Sequence, residues 1–226
     1  MPQLKLPAGT DVAEMDLFDI DALPRRRAPD DAAANALAAQ GRLIRFQTGA
    51  DGGYLLHLFV DEPIPDGLRR HCLDDDKLSG TFRTIKGNIG FGGLESAFAG
   101  FKPNPNIRSD GRIDPGDYSY TAFHTEFPDE LLEQALRIEK TPGERWLARA
   151  PMLALLTAVV SGVVLAVAWR QPMAAVLAYV AGPLAFRRLT RIPAYQRLVA
   201  RRKEAELGFP GIVVELRASH LSGRLA

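Results

Sequence analysis

Two uncharged apolar runs stand close together in the second half of the chain, separated only by Arg170 and Gln171. The first, residues 151–169, has nineteen residues, and at about 1.5 Å of rise per residue a helix of that length nearly matches a hydrocarbon core of about 30 Å. The second, residues 172–186, has fifteen residues and falls short of that thickness. Small residues recur through both runs, as in helices that pack closely in lipid. The pattern predicts a transmembrane helical hairpin over residues 145–188.

Two other structures fit the same apolar runs. One is a buried helix pair in a soluble protein, and the other is a single re-entrant segment. A soluble core of this size rarely needs so long an uncharged run, which favours the membrane interpretation. The short second run leaves open whether the second helix crosses the bilayer fully.

Positive residues flank the predicted hairpin on both sides, whereas its turn holds Arg170 alone. Because cytoplasmic segments carry an excess of Lys and Arg, both termini are predicted to be cytoplasmic, with two spans in a bacterial inner (cytoplasmic) membrane. The residues before the hairpin are Arg137, Lys140, Arg145 and Arg149. The residues after it, which are candidate contacts with anionic lipid or else an ordinary solvated positive cluster, are Arg187, Arg188, Arg191, Arg197, Arg201, Arg202 and Lys203.

Residues 42–127 alternate short apolar runs with Gly, Pro, Asn and Asp, which is typical of strands joined by turns. Five to seven strands are expected in one small sheet or a barrel-like sandwich. The strand candidates are residues 42–46, 54–60, 67–73, 80–86, 88–98 and 117–127. The residues between the last two candidates, 101–116, are expected to form a long ordered loop.

The flanking segments have their own signals. Residues 1–27 show no sustained period and predict an extended or poorly ordered lead-in. A short helix is expected between Pro29 and Gly41, and residues 128–140 predict a helix that packs on the sheet. A basic amphipathic helix is expected from Pro193. Residues 211–217 predict a strand that joins the sheet of the first domain.

The predicted fold class is α+β, a small and mostly antiparallel β-rich cytoplasmic domain with flanking helices, plus the transmembrane hairpin. Its parts are an N-terminal lead-in with a short helix (1–41), the β-rich soluble domain with its closing helix (42–141), the hairpin (145–188), and a basic juxtamembrane helix with a C-terminal strand (189–226).

The amino-acid composition argues against several classes of function and of site. The 226 residues carry 28 Lys and Arg against 27 Asp and Glu, a net charge of +1, which disfavours a general nucleic-acid binder. Acidic residues cluster at 11–21, and positive ones follow residue 187. The single cysteine, Cys72, excludes an internal disulfide and a multi-cysteine zinc site. The N-terminus lacks the basic start and apolar core of a secretory signal, so no cleavage is expected.

Signatures of catalysis do not emerge from the residue pattern. The histidines are His57, His71, His124 and His220, and no two have the spacing of a helical metal site. The glycine-rich residues 87–93 lack the Lys and following Ser or Thr of a phosphate-binding loop. We therefore assign no catalytic residue, no cofactor and no metal ligand from the sequence.

A candidate binding surface lies on the last strand of the β-rich region. Residues of even number on a strand share one face, and here they are polar or aromatic. With the preceding loop, the candidate surface consists of Tyr118, Tyr120, His124, Glu126, Asn104, Asn106 and Arg108. Plain solvent exposure is the alternative interpretation.

These patterns predict a membrane-anchored, non-catalytic protein-interaction or protective protein of the inner membrane, with immunity against a toxin as its specific form. The expected partners are the lipid bilayer and another protein, either a toxin or a subunit of a membrane complex; nucleic acid is not expected, and homo-oligomer formation is left open. One alternative is an accessory subunit of a membrane complex. Another is an enzyme that acts on lipid head groups, which predicts a polar pocket around His57, His71 or His124.

Overall fold

The computed structural model describes residues 3–138, 141–168 and 172–219. These residues form an α+β structure with mostly antiparallel sheets and flanking helices. The chain divides into two compact units. Within the described residues, a β-sandwich combines residues 3–127 with 209–219, and a helical unit takes up the described residues between them.

The sandwich consists of two sheets. Its strands are β1 (Leu4–Thr10), β2 (Glu14–Asp19), β3 (Leu43–Gln47), β4 (Gly52–Val60), β5 (Leu78–Thr84), β6 (Asn88–Gly92), β7 (Arg108–Arg112), β8 (Gly116–His124) and β9 (Ile212–Ala218). Sheet A has the order β1-β4-β9-β8-β5, and sheet B has the order β3-β2-β6-β7. Among these pairs only β4 and β9 run parallel.

Alternating side chains of both sheets meet in one core. Ile212, Val214 and Leu216 point inward from β9, and Leu17 and Phe46 point inward from sheet B. All five are fully buried. Full burial of a side chain of this size stabilises a fold by about 1.5–3 kcal/mol, so the predicted C-terminal strand is a central part of the core rather than an appendage.

The outer faces of the two sheets are covered as well. Phe59, Phe123 and Val213 on sheet A pack under a segment that contains the short helix α2 (Asp66–Arg69). Phe18 and Leu43 on sheet B pack against α1 (Asp31–Ala39). Because the sheets are apolar on both faces, strict alternation of apolar and polar residues is lost in several strands.

Three predictions about local structure are wrong. The N-terminal lead-in forms β1 and β2, residues 67–73 form α2 and a turn instead of a strand, and the predicted loop 101–116 contains β7. Sheet partners decide the conformation of the new strands: β1 pairs along its whole length with β4, from Leu4 opposite Leu58 to Thr10 opposite Gly52, and β7 pairs with β6. Such long-range partners outweigh weak local propensity.

The helical unit contains α3 (Asp129–Leu136), α4 (Pro142–Val167), α5 (Pro172–Thr190) and α6 (Pro193–Glu206). Proline is the first residue of α4, α5 and α6, where its missing N–H costs no hydrogen bond. The Thr141 hydroxyl caps α4 by accepting a hydrogen bond from the Glu144 N–H at 3.2 Å. α5 continues past Gly182 and Pro183 to Thr190.

The helix predicted to close the β-rich domain, α3, groups with the helical unit, where it packs against α6. Within the helical unit, α6 is therefore a packing neighbour of α3. Lys140, Trp169, Arg170, Gln171 and His220, all named in the sequence predictions, lie outside the described residues.

Candidate functional site

The helical unit is an insertion between two neighbouring strands. β8 and β9 pair side by side, and the last pair of their register joins His124 to Ile212. The chain leaves the sandwich after Phe127 and returns at Phe209. The two ends of the excursion therefore start from one place in sheet A. We call residues 125–127 and 209–211 the neck.

Contacts across the neck hold residues 125–127 against residues 209–211. The Phe127 and Phe209 rings meet edge to face, with centroids 5.1 Å apart. The Thr125 N–H donates to the Gly211 carbonyl oxygen at 3.2 Å, and the Thr125 hydroxyl donates to the Pro210 carbonyl oxygen. The His71 ring packs on the other side of Phe127 at 4.6 Å. Apolar packing and hydrogen bonds thus close the neck.

Within the helical unit, α4 and α5 pack as an antiparallel pair through small residues. A side-chain carbon added at Gly162 would lie 2.8 Å from the Tyr179 ring, and one added at Gly182 would overlap Ala158. The two contacts run in opposite sequence directions, which makes the pair antiparallel. Such close approach of backbones is typical of helices that associate in lipid.

The outward surface of this helix pair is apolar and exposed. Met152, Val167 and Leu177 are 67%, 74% and 69% exposed. Other large exposed apolar residues are Leu153, Leu156, Val159, Val160, Val163, Val164, Met173, Val176, Tyr179, Val180, Leu184 and Phe186. By length and composition, α4 is the one helix among the described residues that can cross a membrane. The second span of the hairpin stays a prediction.

Six of the seven predicted lipid-surface residues are exposed: Arg187, Arg188, Arg191, Arg197, Arg202 and Lys203. The seventh, Arg201, is half-buried and donates to the Glu144 carboxylate, which ties α6 to α4. Arg202 also pairs with Glu206, one turn further along α6, at 3.4 Å. Arg201 therefore has a packing role within the helical unit.

Three of the four strand residues of the predicted binding surface face the core, whereas Glu126, beyond the end of β8, is exposed. Tyr118 is 3% exposed, and its hydroxyl donates to the Asp114 carbonyl oxygen at 2.6 Å. Tyr120 packs against the same core, and the His124 ring meets the Phe46 ring edge to face at 6.3 Å. Burial raises the pKa of both tyrosines and lowers the pKa of His124. The shared face was correctly predicted, but it points inward and offers no docking surface at the tyrosines.

The loop part lies elsewhere on the sandwich. Arg108 is 1% exposed; its guanidinium donates to the Asp110 carboxylate at 2.7 Å and to the Phe98 carbonyl oxygen at 2.7 Å. It is a structural residue that anchors the segment before β7. Asn104 and Asn106 are exposed beside it, in a turn where the Asn106 N–H donates to the Asn104 side chain. Since β7 belongs to sheet B and β8 to sheet A, the structure does not bring the two parts together.

The histidines do not form one pocket. His57 and Phe123 lie on the outer face of sheet A, whereas His124 lies on its inner face. The Nδ1 atom of His57 is 2.6 Å from the Gln3 amide nitrogen. Within the described residues no group of three or more His, Cys, Asp or Glu side chains is arranged to hold a metal ion. The structure therefore does not bring His57 and His124 together on one face of sheet A.

An acidic groove on the outer face of sheet B was not predicted as a site. It has a volume of about 540 Å³ and is lined by Val12, Glu14, Ala28, Pro29, Asp30, Asp31, Leu94 and Glu95. The acidic cluster at residues 11–21 is the only sequence signal for it, because the remaining carboxylates come from separate segments. Strand pairing and the docking of α1 bring them together.

No protein-family model and no curated protein matches this sequence. Among solved structures, the chain is similar to the protein named "Crocagin biosynthetic gene J", with 13% identity, a TM-score of 0.34, and coverage of 54% of this chain and 75% of that chain. It is also similar to ComJ from Bacillus subtilis, an inhibitor of the DNA-degrading activity of NucA, with 15% identity, a TM-score of 0.32, and coverage of 55% and 82%. Likenesses this distant carry no conclusion about what this chain binds.

Proposed function

We propose that this chain is a membrane-anchored, non-catalytic interaction protein. Its α4–α5 hairpin inserts into the inner membrane, and its β-sandwich binds another protein on the cytoplasmic side. The observation that carries the proposal is the apolar, exposed outer surface of α4 and α5. The partner of that surface is the hydrocarbon core of a lipid bilayer.

Energetics support a lipid environment for this surface. Contiguous apolar patches of soluble monomers rarely exceed a few hundred Å², and residues 151–186 carry fifteen large exposed apolar residues among those the structure describes. Transfer of each from water into hydrocarbon is favourable by about 1.5–3 kcal/mol. Residues 151–167 of α4 extend for about 25 Å at 1.5 Å per residue, close to the thickness of a hydrocarbon core.

The closed neck supports two crossings. Phe127 and Phe209 are in contact, so both ends of the inserted segment begin at the same side of any membrane it enters. A segment that leaves and returns to one side must cross an even number of times. The exposed arginines after α5 favour the cytoplasm as that side. The shortness of the second apolar run, residues 172–186, can be accommodated by local thinning of the bilayer.

Membrane fractionation tests the anchor. The protein is expected to stay in the membrane pellet after alkaline carbonate extraction. Leu156→Lys with Val160→Lys, on the exposed face of α4, should move it toward the supernatant, because a lysine at the centre of a span costs about 2.5–3.5 kcal/mol. Ile85→Lys, at an exposed apolar residue of the sandwich, is the matched control and should leave the protein in the pellet. Wild-type protein in a detergent-free supernatant would refute the anchor.

Thiol labelling tests the number of spans. In a Cys72→Ser background, single cysteines are placed at Arg145, Gln171 and Arg191, and intact cells are treated with a membrane-impermeant maleimide. Only the cysteine at position 171, in the predicted turn, should react from outside. Labelling at position 191 would mean one crossing and would contradict the hairpin.

Neutralisation of a toxin is the more specific form of this function. An anchored binding domain without its own chemistry suits protection, because occupancy of a toxin surface is sufficient to block it. This form predicts a toxin gene beside this gene and death of cells from which this gene alone is removed. Normal growth of the deletion strain would exclude the protective role and leave anchored binding untouched.

A further inference from the structure

The acidic groove of the sandwich combines carboxylates with apolar walls. Val12, Pro29 and Leu94 supply apolar surface, while Glu14 and Glu95 contribute charge from β2 and from the segment after β6. Asp30 and Asp31 add two more carboxylates at the start of α1. A groove of this composition suits a long side chain with an apolar stem and a cationic end.

Protein donors satisfy only part of this negative charge. The Arg45 guanidinium donates to both Glu14 oxygens and to Asp31, the latter at 3.1 Å. Asp30 accepts a hydrogen bond from the Ala33 N–H at 2.9 Å. Glu95 is exposed and accepts no hydrogen bond from the described residues. One guanidinium thus faces four carboxylates, and Glu95 is available to an incoming cation.

A fifth carboxyl, Asp16, lies beneath the groove. It shares the outer face of β2 with Glu14, is fully buried, and has no hydrogen-bond donor for either oxygen among the described residues. Glu14 is a second carboxyl group on the same face of β2, so a hydrogen bond between the two requires a shared proton. Burial, and then the charges of Glu14 and Glu95 against the opposing charge of Arg45, raise the pKa of Asp16 well above its usual value.

A buried acceptor without a donor costs about 1–3 kcal/mol, so the unpaired Asp16 carboxyl needs a physical explanation. An external cation in the groove would supply the missing positive charge. A metal ion does not suit the groove, since the described residues hold no metal-binding cluster. A guanidinium suits it better, because Arg45 already shows how one pairs with these carboxylates through two parallel hydrogen bonds.

We propose that the groove receives an arginine side chain from a basic segment of the partner protein, with Glu95 at its rim and Asp16 at its floor. The proposal rests on the proposed function, in which the sandwich binds a protein. The arginine stem packs on Val12 and Leu94, and its guanidinium pairs with Glu95.

Peptide binding tests the groove. The full chain is placed in phosphatidylcholine nanodiscs and titrated at low salt with a labelled nona-arginine peptide and with the same peptide built from citrulline, the uncharged isostere of arginine. We expect the arginine peptide alone to bind. Glu95→Gln should weaken its affinity at least fivefold and Asp16→Asn at least twofold. Asp75→Asn, at an exposed acid away from the groove, is the matched control and should have no effect.

Three results would overturn the proposal: no binding of the arginine peptide, equal binding of the citrulline peptide, or an unchanged affinity in both groove variants. The anchor is tested separately, because membrane extraction does not depend on Glu95 or Asp16. Failed peptide binding with intact membrane anchoring therefore refutes the groove alone. Peptide binding by a protein that is not membrane-bound refutes the anchor alone.

Discussion

The Phe127 ring meets the Phe209 ring edge to face, with centroids 5.1 Å apart and planes at 84°. These residues are far apart in sequence, and all the described helical residues from α3 to α6 lie between them. Because they are in contact, the chain leaves the sandwich and returns to it at one place. The contact explains how one sandwich can contain a C-terminal strand in the middle of a sheet whose other strands precede the insertion.

The neck contact should be measurable as a pairwise energy. Phe127→Ala and Phe209→Ala are each expected to lower the free energy of unfolding of the sandwich, since each removes a half-buried ring. In a double-mutant cycle the two should couple by about 0.5–1.5 kcal/mol, as aromatic pairs do. Pulse proteolysis in urea would measure this. Phe209→Ala combined with Phe98→Ala, from a separate aromatic pair, should be additive; additivity at the neck would contradict the contact.

The α4–α5 interface should not tolerate larger side chains at its glycines. Gly182→Leu is expected to destabilise the helix pair by about 1–3 kcal/mol, because the added atoms overlap Ala158. The neighbouring Ala181 is exposed, so Ala181→Leu is the matched control and should be neutral. Loss of helical circular dichroism during titration with dodecyl sulfate reports both effects. Equal behaviour of the two variants would contradict the interface.

Arg108 should prove structural. Arg108→Met leaves the Ser96 and Phe98 carbonyl oxygens and the Asp110 carboxylate without their donor, so we expect a loss of about 3 kcal/mol in the free energy of unfolding. Arg112→Met, on the exposed surface of the same strand, should change it by less than about 0.5 kcal/mol. An unchanged free energy of unfolding in Arg108→Met would show that Arg108 is not needed for stability and would make it a candidate binding residue again.

Asp16 should make the stability of the sandwich depend on pH. A carboxyl whose pKa is raised in the folded state binds its proton more tightly there, so the free energy of unfolding falls as pH rises above the unfolded value near 3.8. Asp16→Asn removes this titration while Glu14, Arg45 and Glu95 stay in place. We expect the variant to be more stable than wild type by on the order of 1 kcal/mol at pH 7.

The gain should shrink as the pH falls toward 4, because folded wild-type Asp16 then carries its proton and no longer buries a negative charge. Urea unfolding from pH 4 to 8 would measure it. Asp75→Asn serves as the control, since its side chain is exposed. A gain that does not change with pH, or a loss at pH 7, would show that Asp16 has a partner that stabilises its charged form.

Local sequence patterns were sufficient to predict the features that depend only on residues close together in the chain. The apolar helices, the start of α6 at Pro193, and the strand at Ile212–Ala218 all follow from periods and capping signals within a few residues. The same signals predicted the α+β class, because runs of strands and runs of helices occupy separate parts of most of the sequence.

The candidate sites depended on partners that are distant in sequence. The even-numbered face of β8 was identified from alternation, but alternation does not say which face meets the second sheet. β1 and β2 carry too little local preference to be recognised without β4 and β6 beside them. The acidic groove exists only where β2, the segment after β6 and α1 converge, and the neck only where residues 127 and 209 meet. Contacts of this kind form because burial of a shared core offsets the entropy of closing long loops, and no short window of sequence contains that balance.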